Sequence, residues 1–125
     1  MTDLRTKLQD LAALPADRPM GMPGEFYTSP DQFDHEARTV LRSGWHCLGR
    51  LDEIPEPGDF FTVQLLNEPL LIVRGDEGDV RVLANVCRHR GMPLAEGRGN
   101  AKRFVCSYHA WTYGRDGAPT TETPS

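Results

Sequence analysis

The chain has 125 residues, of which 38% are hydrophobic and 26% charged, and its net charge is −4. This length is enough for one modest hydrophobic core and too short for two. The sequence offers no run of roughly 18 apolar residues, and its first 20 residues contain three aspartates and no continuous apolar stretch, so we expect neither a membrane segment nor a secretory signal. Its three cysteines do not suit a disulfide scaffold, which points to the reducing cytoplasm.

The first third of the chain is predicted to be helical. Three leucines at helical spacing predict an amphipathic helix over residues 3–14, with a frayed tail as the alternative: Leu4, Leu8 and Leu11. After a proline-rich linker, Ser29 and Gln32 form an S-x-x-Q capping box around Pro30, which predicts a second helix ending near Gly44. The apolar face of this helix is predicted to consist of four residues: Phe33, Ala37, Val40 and Leu41.

From Trp45 onward the pattern changes to short strands. Apolar residues alternate over 61–65, and the segments 70–74 and 80–84 flank a glycine-rich turn, which predicts a β-hairpin. Further strands are predicted at 103–105 and 111–113, with a turn at Asp116-Gly117. The predicted fold class is therefore mainly β, a small antiparallel β-sandwich over residues 45–125, preceded by a helical extension over residues 1–44.

Charge is unevenly distributed along the chain. Residues 1–80 carry fifteen acidic and seven basic side chains, whereas residues 81–125 carry three acidic and seven basic ones. A positive patch of this kind can bind nucleic acid, steer an acidic protein partner, or simply form a solvated surface. The overall pI of about 5.5 argues against a dedicated nucleic-acid binder, so no nucleic-acid partner is expected.

Two cysteines and two histidines carry the chemistry of this sequence. They form a C-x-H pair and a C-x-x-H pair separated by sixteen residues, each just beyond a predicted strand: Cys87, His89, Cys106 and His109. Such a set could hold a tetrahedral zinc ion, although the common zinc spacings pair cysteine with cysteine. It could equally hold a two-iron cluster in which two histidines replace two thiolates on one iron. The residues alone do not distinguish a zinc ion from a two-iron cluster.

The sequence around these four residues resembles the cluster-binding motif of Rieske non-haem iron oxygenase alpha subunits. Two strings carry the resemblance, which extends over about residues 24–117: Asn85-Val86-Cys87-Arg88-His89-Arg90-Gly91 and Cys106-Ser107-Tyr108-His109-Ala110-Trp111-Thr112-Tyr113. The resemblance implies a Rieske-type fold with one [2Fe–2S] cluster per chain, Cys87 and Cys106 holding one iron and His89 and His109 the other. Ser107 stands where the family usually has proline, which leaves open a hydroxyl hydrogen bond to sulfur.

The resemblance also implies a role in one-electron transfer. Oxygenase alpha subunits accept electrons from a reductase or ferredoxin and hydroxylate an organic, often aromatic, substrate with O₂ at a mononuclear non-haem iron. That iron lies in a second domain, held by two histidines and a carboxylate, in a neighbouring subunit of a homotrimer. Family members are several times longer than this chain. We therefore expect an N-terminal portion with no catalytic residues of its own and with later strands of the Rieske fold missing.

Two other hypotheses compete with the oxygenase. The length favours a self-contained Rieske ferredoxin, an electron carrier without catalytic activity, and a zinc-stabilised binding module is a third possibility. Because the loops lack the extra cysteines of respiratory Rieske proteins, the potential is expected toward the low end of roughly −150 to +300 mV. Trp111 and Tyr113 are predicted to pack behind the second loop, and Cys47 is predicted to be a small buried residue. His35 and His46 are assigned structural roles.

Overall fold

A computed structural model describes residues 4–120, so residue 3 of the first predicted helix and residues 121–125 of the polar C-terminal tail lie outside it. The chain divides into two compact units between His46 and Cys47. The first unit contains the helices α1 (Leu4–Ala12), α2 (Glu25–Thr28) and α3 (Pro30–Thr39), followed by a 3₁₀ turn at Leu41–Ser43. The predicted first helix is confirmed, whereas α2 was not predicted, because a single helical turn leaves no periodicity in the sequence.

Helix α3 begins as predicted, but only half of the capping box forms. The Ser29 hydroxyl accepts a hydrogen bond from the backbone N–H of Gln32 at 3.3 Å. The reciprocal bond is missing because the Ser29 N–H already donates to Glu25 O at 2.9 Å as the end of α2. The Gln32 amide instead donates to Glu36 Oε1 at 2.7 Å.

The predicted apolar face of α3 is wrong in two positions. Phe33 and Val40 are 46% and 61% exposed, whereas Ala37 is buried. The buried aromatic residue is Phe26 of α2. Helix α2 directly precedes α3 in the sequence and contacts it in the structure. Gln32 is buried too, and its hydrogen bond to Glu36 compensates for the loss of water.

The second unit is built from two antiparallel sheets. The first contains β1 (Asp59–Leu65), β2 (Glu68–Arg74), β3 (Val80–Ala84) and β4 (Arg98–Asn100) in the spatial order β3-β2-β1-β4. The second contains β5 (Phe104–Val105), β6 (Thr112–Tyr113) and β7 (Pro119–Thr120) in sequence order. The mainly antiparallel β fold is thus confirmed. The hairpin between β2 and β3 is also confirmed, with Gly75 N–H bonded to Asp79 O at 2.8 Å across the turn.

Strands β4 and β7 were not predicted from the sequence. Both are two or three residues long, and all of their residues are exposed. Strand β4 forms by antiparallel backbone pairing with β1, in which Phe60 lies opposite Gly99. Edge strands of this kind carry no alternation of apolar and polar residues, since neither face is buried.

Strand β2 forms the centre of the hydrophobic core and is buried on both faces. Ile72 joins Ile54 and Phe61 in one apolar cluster, whereas Leu71 and Val73 join Phe104 in another. Because Phe104 belongs to β5, the second cluster fastens the small sheet to the large one. Among residues 4–120, no helix is long and apolar enough to cross a membrane.

Candidate metal centre

Two loops of the second unit have the same pattern of backbone hydrogen bonds, and each begins with a cysteine. In the first loop, residues 87–92, Cys87 N–H donates to Met92 O at 2.7 Å and Gly91 N–H donates to Cys87 O at 2.9 Å. In the second loop, residues 106–111, Cys106 N–H donates to Trp111 O at 2.8 Å and Ala110 N–H donates to Cys106 O at 2.9 Å. The second loop connects β5 to β6, and the first follows β3.

The fifth residue of each loop has a left-handed backbone. Gly91 has a φ of 74° and Ala110 has a φ of 59°. The left-handed region costs an L-residue roughly 1–2 kcal/mol, and glycine avoids this cost. The second loop therefore holds a strained alanine where the first loop has an unstrained glycine.

The two cysteines are buried together with Tyr113. The relative exposures of Cys87, Cys106 and Tyr113 are 1%, 3% and 3%, and the three form one cluster. The Tyr113 hydroxyl accepts the Arg88 backbone N–H at 3.1 Å, so its own proton is free to point at the Cys87 sulfur 3.3 Å away. This hydrogen bond lowers the pKa of the Cys87 thiol, with help from the backbone of the loop and from Cys106. The same contact raises the pKa of Tyr113.

The two histidine rings lie side by side at the exposed tips of the loops. The ring centroids of His89 and His109 are 4.6 Å apart, with an interplanar angle of 66°. Trp111 stacks on His89 at 4.9 Å and 9°, and Tyr108 contacts His109 at 3.9 Å. Trp111 is 47% exposed, so the prediction that it packs behind the second loop is wrong. It packs on the histidine of the other loop, whereas Tyr113 is buried as predicted.

Asn85 is a supporting residue that the sequence reasoning missed. Its side-chain oxygen accepts the N–H groups of Leu94 and Ala95 at 2.9 and 3.0 Å, and its amide donates to Ala95 O at 2.8 Å. The residue is 5% exposed, and these bonds tie the start of the first loop to the segment that follows it. A polar residue directly after a predicted strand was the only available signal.

The remaining candidate donors lie outside this arrangement. Cys47 is exposed, contrary to the prediction, and lies in the segment without helix or strand that opens the second unit. His46 belongs to the first unit, where its Nε2 atom contacts Leu41 O at 2.6 Å. Ser107 is exposed, and within residues 4–120 its hydroxyl makes no hydrogen bond to a sulfur. In the same part of the chain, no three His, Cys, Asp or Glu side chains are grouped for a single metal ion.

Comparison with known proteins shows the family of this chain. Residues 44–125 match the sequence model of the Rieske [2Fe–2S] domain. The chain belongs to the Rieske [2Fe–2S] domain family. The chemistry of the donor set fits the cofactor of this family, in which two histidines replace two cysteines on one iron. In this Rieske domain the two sulfurs are buried side by side and the two imidazoles are paired at the surface.

The relatives of this Rieske domain are the N-terminal parts of oxygenase alpha subunits. A glycine betaine monooxygenase oxygenase subunit from Chromohalobacter salexigens is 41% identical over 97 residues, which cover 77% of this chain and 22% of the relative. The quaternary ammonium Rieske monooxygenase CntA, solved with gamma-butyrobetaine, has a TM-score of 0.82 at 36% identity, covering 91% of this chain and 33% of CntA.

A dioxygenase structure is also similar. Naphthalene 1,2-dioxygenase from Rhodococcus sp. gives a TM-score of 0.86 at 31% identity and covers 100% of this chain and 28% of its own. The chain thus spans between 22% and 33% of the length of each of these relatives.

Proposed function

We propose that residues 45–125 bind one [2Fe–2S] cluster, with Cys87 and Cys106 as ligands of one iron and His89 and His109 as ligands of the other. The observation that carries the proposal is the matched pair of loops, which bury two sulfurs side by side and present two imidazoles together at the surface. When bound, such a cluster supplies reversible one-electron chemistry. The domain division into 1–44 and 45–125 is part of this proposal.

The surrounding residues support that role in two ways. Burial of Cys87 and Cys106 keeps water away from the sulfurs. The hydroxyl of Tyr113 donates a hydrogen bond to Cys87 Sγ, and hydrogen bonds to sulfur stabilise the reduced, more negative state of an iron–sulfur centre. The exposed rings of His89 and His109 provide the edge through which an electron enters and leaves.

At the level of the whole protein, we propose an oxygenase alpha subunit of which this chain is the electron-accepting N-terminal part. A reductase or ferredoxin would deliver electrons to the domain, and a mononuclear non-haem iron in a further domain would use them, with O₂, to hydroxylate an organic substrate. The relatives support this over a free-standing ferredoxin, since they are mono- and dioxygenases. Assembly as a homotrimer and residence in the cytoplasm belong to the same proposal.

The cluster assignment is tested by metal analysis of matched variants. The purified chain should be coloured and contain two irons and two sulfides per polypeptide. Cys87→Ser and His89→Gln should lose most of the visible absorption, because each removes a ligand. The control variants Cys47→Ser and His46→Gln change residues of the same two types that lie outside the loops. They should retain the visible absorption. A colourless chain with one zinc, or equal loss in both pairs of variants, would contradict the proposal.

The oxygenase and the ferredoxin are separated by a measurement on the native protein. The polypeptide is isolated intact from its own source, and its mass and iron content are determined together. A mass several-fold above 14.0 kDa with a third iron per chain is expected for the oxygenase. A mass near 14.0 kDa with two irons would identify a self-contained electron carrier.

A further inference from the structure

A cavity of about 370 Å³ lies in the second unit, where the large sheet meets the small one. Leu71 of β2, Leu83 of β3 and Phe104 of β5 line it, and all three belong to the apolar cluster that joins the two sheets. Its volume equals that of roughly 12 water molecules at about 30 Å³ each. Sites for small organic molecules begin at about this size and are mostly apolar. The cavity therefore has the volume and the lining of a site for a small molecule.

The charged groups beside the cavity favour an anionic ligand. Of the described residues that line it, Arg88 and Asp116 carry charge. The Oδ1 atom of Asp116 already accepts the Ala118 N–H at 2.9 Å within the turn that joins β6 to β7. Arg88 is exposed and forms no ion pair within residues 4–120. Its guanidinium is therefore available to a ligand, and the planar fork of this group matches a carboxylate.

The neighbouring sequence does not compensate the charge of Arg88. There is no acidic residue over 86–95 or over 105–115. A ligand that fills the apolar part of the cavity and places an anionic group at its edge would both remove apolar surface from water and pair with this guanidinium. A purely apolar ligand would gain only the first contribution.

We propose that this cavity binds a small monocarboxylate with an apolar body, such as an aromatic acid, whose carboxylate pairs with Arg88 and whose ring lies between Leu83 and Phe104. This site goes beyond electron transfer, and its occupation does not require a cluster. No bond is made or broken on binding.

Tyr113 links the cavity to the cysteine loops. Its side chain lines the cavity, and its hydroxyl lies 3.3 Å from Cys87 Sγ. A ligand in the cavity would therefore contact a side chain that touches a proposed iron ligand. A ligand bound elsewhere on the surface would not.

The test is calorimetric titration of the purified chain with three naphthalene derivatives of equal size and different charge. The carboxylate 1-naphthoate should bind with a dissociation constant of about 1 mM or tighter, as expected for a ligand of this number of atoms. The neutral 1-naphthylmethanol should bind about fivefold more weakly, the upper range for an ion pair that water can reach. The cationic 1-naphthylmethylamine should bind more weakly still.

Two pairs of matched variants locate the site. Arg88→Gln should weaken naphthoate binding about fivefold and leave naphthylmethanol unchanged, whereas Arg90→Gln removes an arginine of the same loop that does not line the cavity and should have no effect. Leu83→Trp fills the cavity and should weaken both ligands at least about tenfold. Val82→Trp adds the same side chain on the opposite face of β3, where Val82 is 52% exposed, and should have no effect.

A second filling variant guards against a loss of folding. Ala84→Trp enlarges an exposed residue at the edge of the cavity and should also weaken naphthoate binding. The melting temperature of every variant is measured before titration, and Ala84→Trp decides the result where Leu83→Trp does not fold.

The visible absorption of the cluster-loaded chain gives a second readout of position. Naphthoate should change it with the dissociation constant found by calorimetry, because the ligand contacts Tyr113. This readout rests on the proposed function, whereas calorimetry does not. A colourless chain that still binds naphthoate would therefore refute the cluster and support the ligand site.

Four results would overturn the inference. Equal affinities for the three probes would exclude recognition of a carboxylate by Arg88. Tighter binding of the amine would assign the site to Asp116 and to cations. Equal binding by the Leu83→Trp and Val82→Trp variants would place the ligand outside the cavity. Absence of binding in the intact polypeptide from its own source, with binding in the 125-residue chain, would show that another segment of the protein fills the cavity.

Discussion

Exchanging glycine and alanine at the left-handed positions of the two cysteine loops should change the stability of the chain in opposite directions. Gly91→Ala places a β-carbon at a φ of 74°, whereas Ala110→Gly removes one at a φ of 59°. A β-carbon on Gly91 would meet no atom within 4 Å, so the first substitution changes only the backbone energy. The two loops have the same pattern of internal backbone hydrogen bonds. Each variant therefore gives one loop the residue that the other loop has at the equivalent position.

The size of the effect follows from two opposing contributions. A left-handed backbone costs an L-residue roughly 1–2 kcal/mol. Alanine recovers about 0.4–1 kcal/mol relative to glycine, because it restricts the unfolded chain. The net change in the free energy of unfolding is therefore about 1 kcal/mol, a loss for Gly91→Ala and a gain for Ala110→Gly. For a chain of this length that shifts the melting temperature by about 4 °C in each direction.

Thermal unfolding of the cluster-loaded chain, followed by far-ultraviolet circular dichroism, measures both shifts. Ala118→Gly is the matched control, since Ala118 is exposed and does not have a positive φ. It should melt below the unaltered chain, while Ala110→Gly melts above it. The double variant Gly91→Ala, Ala110→Gly should return close to the starting value. A destabilised Ala110→Gly, or an unchanged Gly91→Ala, would refute the strain argument.

Three further predictions follow from individual contacts. Tyr113→Phe removes the hydrogen bond to Cys87 Sγ and should lower the reduction potential by about 40 mV, the equivalent of about 1 kcal/mol, in a redox titration; an unchanged potential would contradict the contact. Asn85→Ala leaves two partly buried amides and one carbonyl without their side-chain partner and should cost about 3 kcal/mol in urea unfolding. A cost below about 1 kcal/mol would show that water replaces the side chain. Hydrogen bonds from Asn100 and from the backbone of residue 56 lower the pKa of Asp59 in the folded state, so its stabilising contribution is present above pH 4 and is lost as the pH falls through that lowered value. Asp59→Asn should therefore flatten the acid side of the stability–pH curve, and an unaltered curve would exclude this carboxylate as a cause of acid unfolding.

Local sequence determined helices α1 and α3, the main hairpin and the identity of the candidate ligands. Ser29 and Pro30 mark the start of α3 because capping uses only neighbouring atoms. The turn at 75–79 predicts its hairpin for the same reason. The spacing of the cysteines and histidines restricted the cofactor to two choices, and the strings around them pointed to the family that the comparison then confirmed.

Tertiary structure decided the features that depend on distant parts of the chain. Phe33 resembles a core residue in the helical pattern and is exposed, whereas Phe26 takes the buried position because α2 brings it against α3. Strand β4 has a wholly polar sequence and exists because β1 offers it an edge. Neither outcome is encoded within one turn or one strand.

The contacts around the candidate ligands show the same division. The sequence named Cys87, His89, Cys106 and His109, but it did not show that Trp111 crosses to the opposite loop or that Tyr113 reaches a sulfur 26 residues away in sequence. Ligand type and spacing are properties of short segments and can be recognised there. Stacking and hydrogen bonding between loops depend on how two sheets pack through Leu71, Val73 and Phe104, and that packing is set by non-local contacts that no short segment contains.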